Sequence, residues 1–171
     1  DYVLGRIRAG VLESGATDLM STLGLDGRMK AEGLPHSGFN LADGERLIRI
    51  AIEELTGKQV MVYGQTEVTR DLMDAARPRG LEIIYEAQDV ALHDVEGDAP
   101  HVTFTKDGIP QRIDARFIAG CDGFHGPSRQ AIPASIGQPF ELVYPFGWLG
   151  ILADVPPCNH ELIYANHERG F

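Results

Sequence analysis

Long apolar runs are missing from this sequence. No stretch of about 18 apolar residues occurs, so no helical membrane span is expected. Cysteine is scarce. Cys121 and Cys158 are too few for a disulfide framework or a four-ligand zinc site, and two reduced thiols of a cytoplasmic protein are expected. Positive charge falls short of negative, with 15 Lys and Arg against 25 Asp and Glu and a formal net charge of −10. That surplus of acid repels phosphate backbones and makes nucleic acid an unfavourable partner. The opening Asp1-Tyr2-Val3-Leu4-Gly5-Arg6 has neither a basic start nor an apolar core, so it does not read as a secretion signal. A Walker lysine motif and a Gly-x-Ser-x-Gly elbow are also lacking.

What is present points to a folded, loop-rich chain. The apolar share of 43% and charged share of 23% suit a globular domain. Glycine is abundant, 20 of 171 residues, which favours close backbone approaches. Thr17 to Leu23 reads as an amphipathic helix capped by Gly24, and a second short helix fits Arg28 to Glu32. Phe39-Asn40-Leu41 and Arg46 to Ile50 flank Asp43-Gly44 as a hairpin. Lys58 to Tyr63 is a strand, Gln65 to Arg77 a helix entered beside a capping Thr66, and Leu81 to Tyr85 the next strand, which together have the dimensions of a βαβ unit. Val102 to Phe104 and Gln111 to Asp114 form another hairpin about Asp107-Gly108. Phe117 to Cys121 reads as a buried strand. Val143 to Val155 and Leu162 to Ala165 read as strands of a second sheet starting near residue 138. The expected class is mixed α/β.

Two stretches carry chemistry in their own right. In Gly5-Arg6-Ile7-Arg8-Ala9-Gly10 an extended backbone aims Arg6 and Arg8 the same way, as two guanidinium forks for a phosphate or carboxylate or as two solvated arginines. In Gly120-Cys121-Asp122-Gly123-Phe124-His125-Gly126-Pro127-Ser128-Arg129 an Asp-Gly turn leads to a helix start. There Asp122 can accept from ribose hydroxyls and Arg129 adds charge for an anion, or the whole is a capped turn. The acidic loop from His93 to His101 lacks EF-hand spacing and is read as solvated, with no metal expected. Cys121 beside Asp122 and near His125 is read as packing rather than as a nucleophile.

Five blocks in series resemble the single-component FAD-dependent aromatic hydroxylases, and among them the 4-hydroxybenzoate hydroxylase family. They are Arg6 to Glu13, Val62 to Leu72, Gly120 to Gly126, Tyr144 to Gly150 and His160 to His167. The resemblance implies a Rossmann-like FAD-binding domain over residues 1–137 and the start of a β-sheet substrate domain over 138–171. It implies FAD as cofactor, with Arg6, Ile7, Arg8, Ala9, Gly10, Val11, Gln65, Val90 and Asp122 against it. NADPH or NADH is the implied co-substrate, met by Tyr2, Arg6, Phe124, His125 and Arg129. Tyr164 corresponds to a tyrosine that binds the substrate's phenolic oxygen and helps ionise it, and His36 to a histidine passing protons to solvent. The implied reaction hydroxylates 4-hydroxybenzoate with dioxygen in a cytoplasmic homodimer. A related hydroxylase with another phenol, or a non-catalytic flavin-fold binding domain, remains the alternative. The family's Gly-x-Gly-x-x-Gly loop and its substrate-carboxylate clamp are not in the sequence. An internal piece of a longer protein is therefore expected, inactive alone.

Overall fold

The computed structural model describes residues 9–137, 140–147, 149–151 and 153–171. Tyr2, Arg6, Ile7 and Arg8 lie outside the described residues. In chain order the elements begin with β1 (Val11–Leu12), α1 (Ser14–Thr22), α2 (Gly27–Glu32), β2 (Leu34–His36), β3 (Phe39–Asp43), β4 (Arg46–Ile50) and α3 (Ile52–Thr56). They continue with β5 (Val60–Val62), α4 (Gln65–Ala76), β6 (Gln88–His93), β7 (His101–Lys106), β8 (Ile109–Asp114), α5 (Pro127–Gln130) and β9 (Ile163–Asn166). The mixed α/β class expected from the sequence is what forms. Two compact units divide it, Asp1–Glu82 with Leu152–Phe171, and Ile83–Ile151.

Among its described residues the first unit holds two three-stranded sheets, ordered β1-β5-β2 and β4-β3-β9. Its core is small: Met20 of α1, Met29 of α2 and Tyr63 after β5 are buried, with Leu12, Leu25, Met61 and Val68 packed against them. Gly24 takes a left-handed φ of +67°, and beyond it the Leu25 N–H donates to Met20 O at 2.8 Å, closing α1 as expected from its glycine. The β3–β4 hairpin forms with Asp43 opposite Arg46, and Gly44 (φ +58°) makes the turn. Strand β9 then adds parallel to β3, Tyr164 beside Leu41, so a segment near the chain's end completes a sheet begun more than a hundred residues earlier.

The second unit is built on an antiparallel meander, β6-β7-β8. Asp107 and Gly108 both have positive φ (+52° and +76°), the conformation an Asp-Gly hairpin turn needs. Asp89 at φ +51° sits where the β6–β7 register shifts between Gln88 and Ala91, and Val90 lies in this bulge.

Several expectations fail. Leu81 to Tyr85 forms no strand, so the βαβ unit is not made, and β5 pairs antiparallel with both of its neighbours. Phe117 to Cys121 is likewise outside any ladder, with Phe117 86% exposed and Cys121 exposed rather than buried. Nor do the described residues of 143–155 form a strand. The physical reason is shared: an apolar run becomes a strand only when a neighbour supplies ladder hydrogen bonds, and none of the three sheets among the described residues includes these segments. Thr66 is not the cap of α4. That position is Gly64, whose carbonyl accepts from the N–H groups of Glu67 and Val68.

Candidate functional site

The first unit brings together two blocks that the sequence separates by more than fifty residues. The Tyr63 N–H donates to Gly10 O at 2.8 Å and the Gln65 N–H to Ala9 O at 3.2 Å, while Val11 pairs with Val62. Ala9, Gly10, Val11 and Gln65 therefore share one strand-to-helix junction. Among the described residues, a Cβ at Gly10 would meet no atom within 4 Å, so these residues leave the space beside this backbone open.

An ionic network that sequence reading missed holds the junction. Arg28 of α2 donates to Glu67 (2.5 Å) and Asp71 (2.6 Å) of α4 and to Glu32 one turn along its own helix. These carboxylates, Glu67 first, bind the guanidinium in its charged form and push its pKa still higher. The Tyr63 hydroxyl donates to Asp71 Oδ2 at 2.8 Å. Burial, reinforced by the Asp71 carboxylate, pushes the phenol up to about 12. The only advance signal was the i,i+4 spacing of Glu67 and Asp71 on one face of α4.

His36 ends β2 and is buried, 5% exposed, where a solvated loop residue was the alternative. Its Nδ1 is buried without a hydrogen-bond partner among the described residues. Burial pushes its pKa down, and the nearby His160 adds to this. The His160 ring stands 6.1 Å away centre to centre, tilted by 44°. Next to His36, the Ser37 and Gly38 N–H groups both donate to Glu161 Oε1 at 3.0 Å, and Arg49 of β4 pairs with the same carboxylate. Tyr164, on β9, is 44% exposed, edge-on to Phe39 at 5.3 Å and stacked with Phe171 at 6.1 Å.

In the second unit Asp122 occupies the expected turn. Its Oδ2 accepts the Ser128 N–H at 2.9 Å, satisfying a donor at the start of α5, and this bond holds its carboxyl below the usual carboxylate range. The capped turn is therefore real, yet an ionised carboxylate has several lone pairs and one such bond leaves others. Two glycines make the fit possible. A Cβ at Gly126 would overlap the Asp122 carboxylate, and one at Gly120 would meet Ser128 Cβ at 2.5 Å. Asp122, Gly123 and Arg129 line a cavity of about 790 Å³ together with Leu92 and Val95. The Arg129 guanidinium lies over the Phe124 ring, 4.7 Å from its centroid, and Phe124 meets His125 edge-on at 5.0 Å. Val90 belongs to this unit as well. Among the described residues no cluster of three metal-ligating side chains forms.

An Asp-Gly turn built around a carboxylate, and a strand–helix junction with an open backbone flank, are features of a nucleotide-cofactor domain. The family described as "FAD binding domain" matches residues 1–171, and the chain belongs to it, with FAD as cofactor. A relative that can be named is p-hydroxybenzoate hydroxylase of Acinetobacter baylyi, 52% identical over 172 residues, a match covering all of this chain and 42% of that protein. The chain thus spans well under half the length of this curated relative. Among solved structures, the flavin-dependent halogenase CmlS superposes with a TM-score of 0.58 at 20% identity, over 76% of this chain and 27% of that one. This second likeness establishes the fold alone.

Proposed function

We propose that the protein carrying this chain is an FAD-dependent monooxygenase. In this reading it converts 4-hydroxybenzoate, dioxygen, NAD(P)H and a proton into 3,4-dihydroxybenzoate, NAD(P)⁺ and water. The observation that carries the proposal is the 52% identity, over the whole length of this chain, to a protein named p-hydroxybenzoate hydroxylase. Residues 1–137 are assigned to the FAD domain and 138–171 to the start of the substrate domain.

The residues present fit the cofactor. The open flank at Gly10 admits a ligand against the backbone, and the ionised Asp122 retains acceptor capacity for a ribose hydroxyl. Arg6, Ile7, Arg8, Ala9, Val11, Gln65 and Val90 are assigned to the same ligand, and Tyr2, Arg6, Phe124, His125 and Arg129 to NADPH or NADH. FAD, when bound, supplies the electron-transfer and oxygen chemistry. The chain's own side chains do the rest. The Tyr164 hydroxyl donates to the substrate's phenolic oxygen and favours its ionised form, which enriches the ring carbon to be attacked. His36, buried and held neutral, takes up the phenolic proton and returns it to solvent. We place the enzyme in the cytoplasm as a homodimer; two exposed, unpaired cysteines suit a reducing compartment.

The test is turnover by the intact protein with FAD, NADPH, oxygen and 4-hydroxybenzoate, following 3,4-dihydroxybenzoate. Product in step with NADPH oxidation is expected. Hydroxylation of a different phenol alone would move the enzyme to another branch of the aromatic hydroxylases, and bound flavin with no turnover would leave a binding domain.

A further inference from the structure

Beside His36 stands an ionisable ring for which the proposed reaction has no use. His160 is exposed, whereas His36 is buried with an unpartnered Nδ1, and their rings are 6.1 Å apart. The pair is 124 residues apart in sequence and is held by a third group. Glu161, immediately after His160, accepts the N–H groups of Ser37 and Gly38, immediately after His36, and its carboxylate is also paired with Arg49. A side-chain clamp between the two neighbours fixes the two rings in register.

We propose that His160 is the solvent-facing proton-exchange partner of His36, held in place by Glu161. The inference rests on the reading of His36 as a proton carrier. The transfer is balanced within the pair: His160 takes a proton from solvent, becomes the imidazolium, and passes that proton to neutral His36, returning to neutrality itself. The reverse sequence discharges a proton arriving at His36. A gap of 6.1 Å between ring centres is too wide for a direct ring-to-ring hydrogen bond, so the proton crosses when the rings move together or admit a water between them. Exposure orders the two steps. Burial disfavours the charged form of His36, so a proton reaches it from solvent by way of the exposed ring beside it.

Other charges border His36. Arg49 reaches it from β4 through Ser37, and Glu53 of α3 donates its backbone N–H to Ser37 O. Asp18 of α1, Glu53 and Lys58 share a groove with Pro35 and Val60, the latter opposite His36 on β5. Glu161 is occupied by its own hydrogen bonds. Among all these, His160 is the group in ring contact, and imidazole is the side chain that changes charge near neutrality. His160 is a positioning and relay residue that acts through His36.

The experiment follows the histidine ring signals of the intact, FAD-loaded protein by NMR from acid to mildly alkaline pH. Three forms are compared: the natural sequence, His160→Gln and His160→Lys. A unit charge at this distance shifts a neighbouring titration by about half a pH unit even with water-like screening. His160→Gln should therefore move the His36 midpoint up by that amount or more, and His160→Lys, which retains a positive charge, should leave it low. In the natural protein each of the two histidines should show a second inflection at the other's midpoint. An unmoved His36 midpoint in His160→Gln overturns the proposal, as do equal shifts in the Gln and Lys forms. Independent single-step curves in the natural protein overturn it without any variant. No substrate enters the measurement, so a failure to hydroxylate 4-hydroxybenzoate and a failure of this coupling are read separately.

Discussion

Replacing Tyr63 by phenylalanine tests the ionic network under the candidate cofactor junction. The aromatic body is part of the buried core at 4% exposure and stays in place in the variant; what is lost is one hydrogen bond at 2.8 Å to a carboxylate. Hydrogen bonds to charged partners contribute roughly 1.5–3 kcal/mol. Asp71 keeps Arg28 at 2.6 Å and is not orphaned, which places the expected loss near the lower end, about 1.5 kcal/mol. The pH dependence is more specific. The Tyr63 phenol is pushed up to about 12 in the folded protein, against about 10 for a free tyrosine. The folded state therefore holds this proton more tightly than the unfolded chain. The corresponding stability is fully present below pH 10 and is lost as pH rises through 12. Urea unfolding of the natural protein and Tyr63→Phe at pH 8, 10 and 11 measures this directly. The gap between the two midpoints should be constant from pH 8 to 10 and narrow above it. A gap that is absent at pH 8, or that widens with alkali, refutes the reasoning.

In the second unit, Gly126→Ala places a methyl group into the space of the Asp122 carboxylate and should break its bond to the Ser128 N–H. If that turn holds FAD, Gly126→Ala and Asp122→Ala should each weaken flavin retention roughly tenfold or more, read by flavin fluorescence after dialysis; unchanged retention in Asp122→Ala would reduce the residue to a cap. Tyr164→Phe keeps the edge contact with Phe39 and removes the hydroxyl. NADPH oxidation should then outrun 3,4-dihydroxybenzoate, with hydrogen peroxide making up the difference, and a fully coupled variant at the natural rate would make Tyr164 a packing residue.

Local signals were legible wherever glycine or a helical period fixes the backbone by itself. Gly24, Gly44 and Asp107-Gly108 all adopt the left-handed conformations their turns demand, and α4 forms over Gln65–Ala76, within the span read for it, though Leu72 stays exposed. The strands lost from the reading, 81–85 and 117–121, carry the right residues, but a strand is a property of two segments and one segment cannot reveal its partner. The same reason hid the contacts that matter most for the site. Nothing near Ser37 announces Glu161, and nothing in the alternation of β2 announces that His36 is buried against a residue 124 positions away. The Asp122 turn was visible because its parts are contiguous. The Arg28 network was not, because two of its anions, Glu67 and Asp71, lie on a different helix from the cation. The bulge at Asp89 gives no sequence warning either, since a left-handed aspartate is set by the ladder around it.

The parallel pairing of β9 with β3 has a consequence for how the chain is made. The β3–β4 hairpin leaves the ribosome early, yet one edge of its sheet, and the carboxylate that accepts the Ser37 and Gly38 N–H groups, arrive only with residues 161–166. Between them lies a complete meander closed by a two-residue turn, whose contacts are all short in sequence. Local pairings form faster than those that must first close a loop of over a hundred residues. The order of birth and the order of completion are therefore inverted: the segment translated in the middle is finished first, and the first unit waits, with an open strand edge at β3, for the last residues of this stretch to dock.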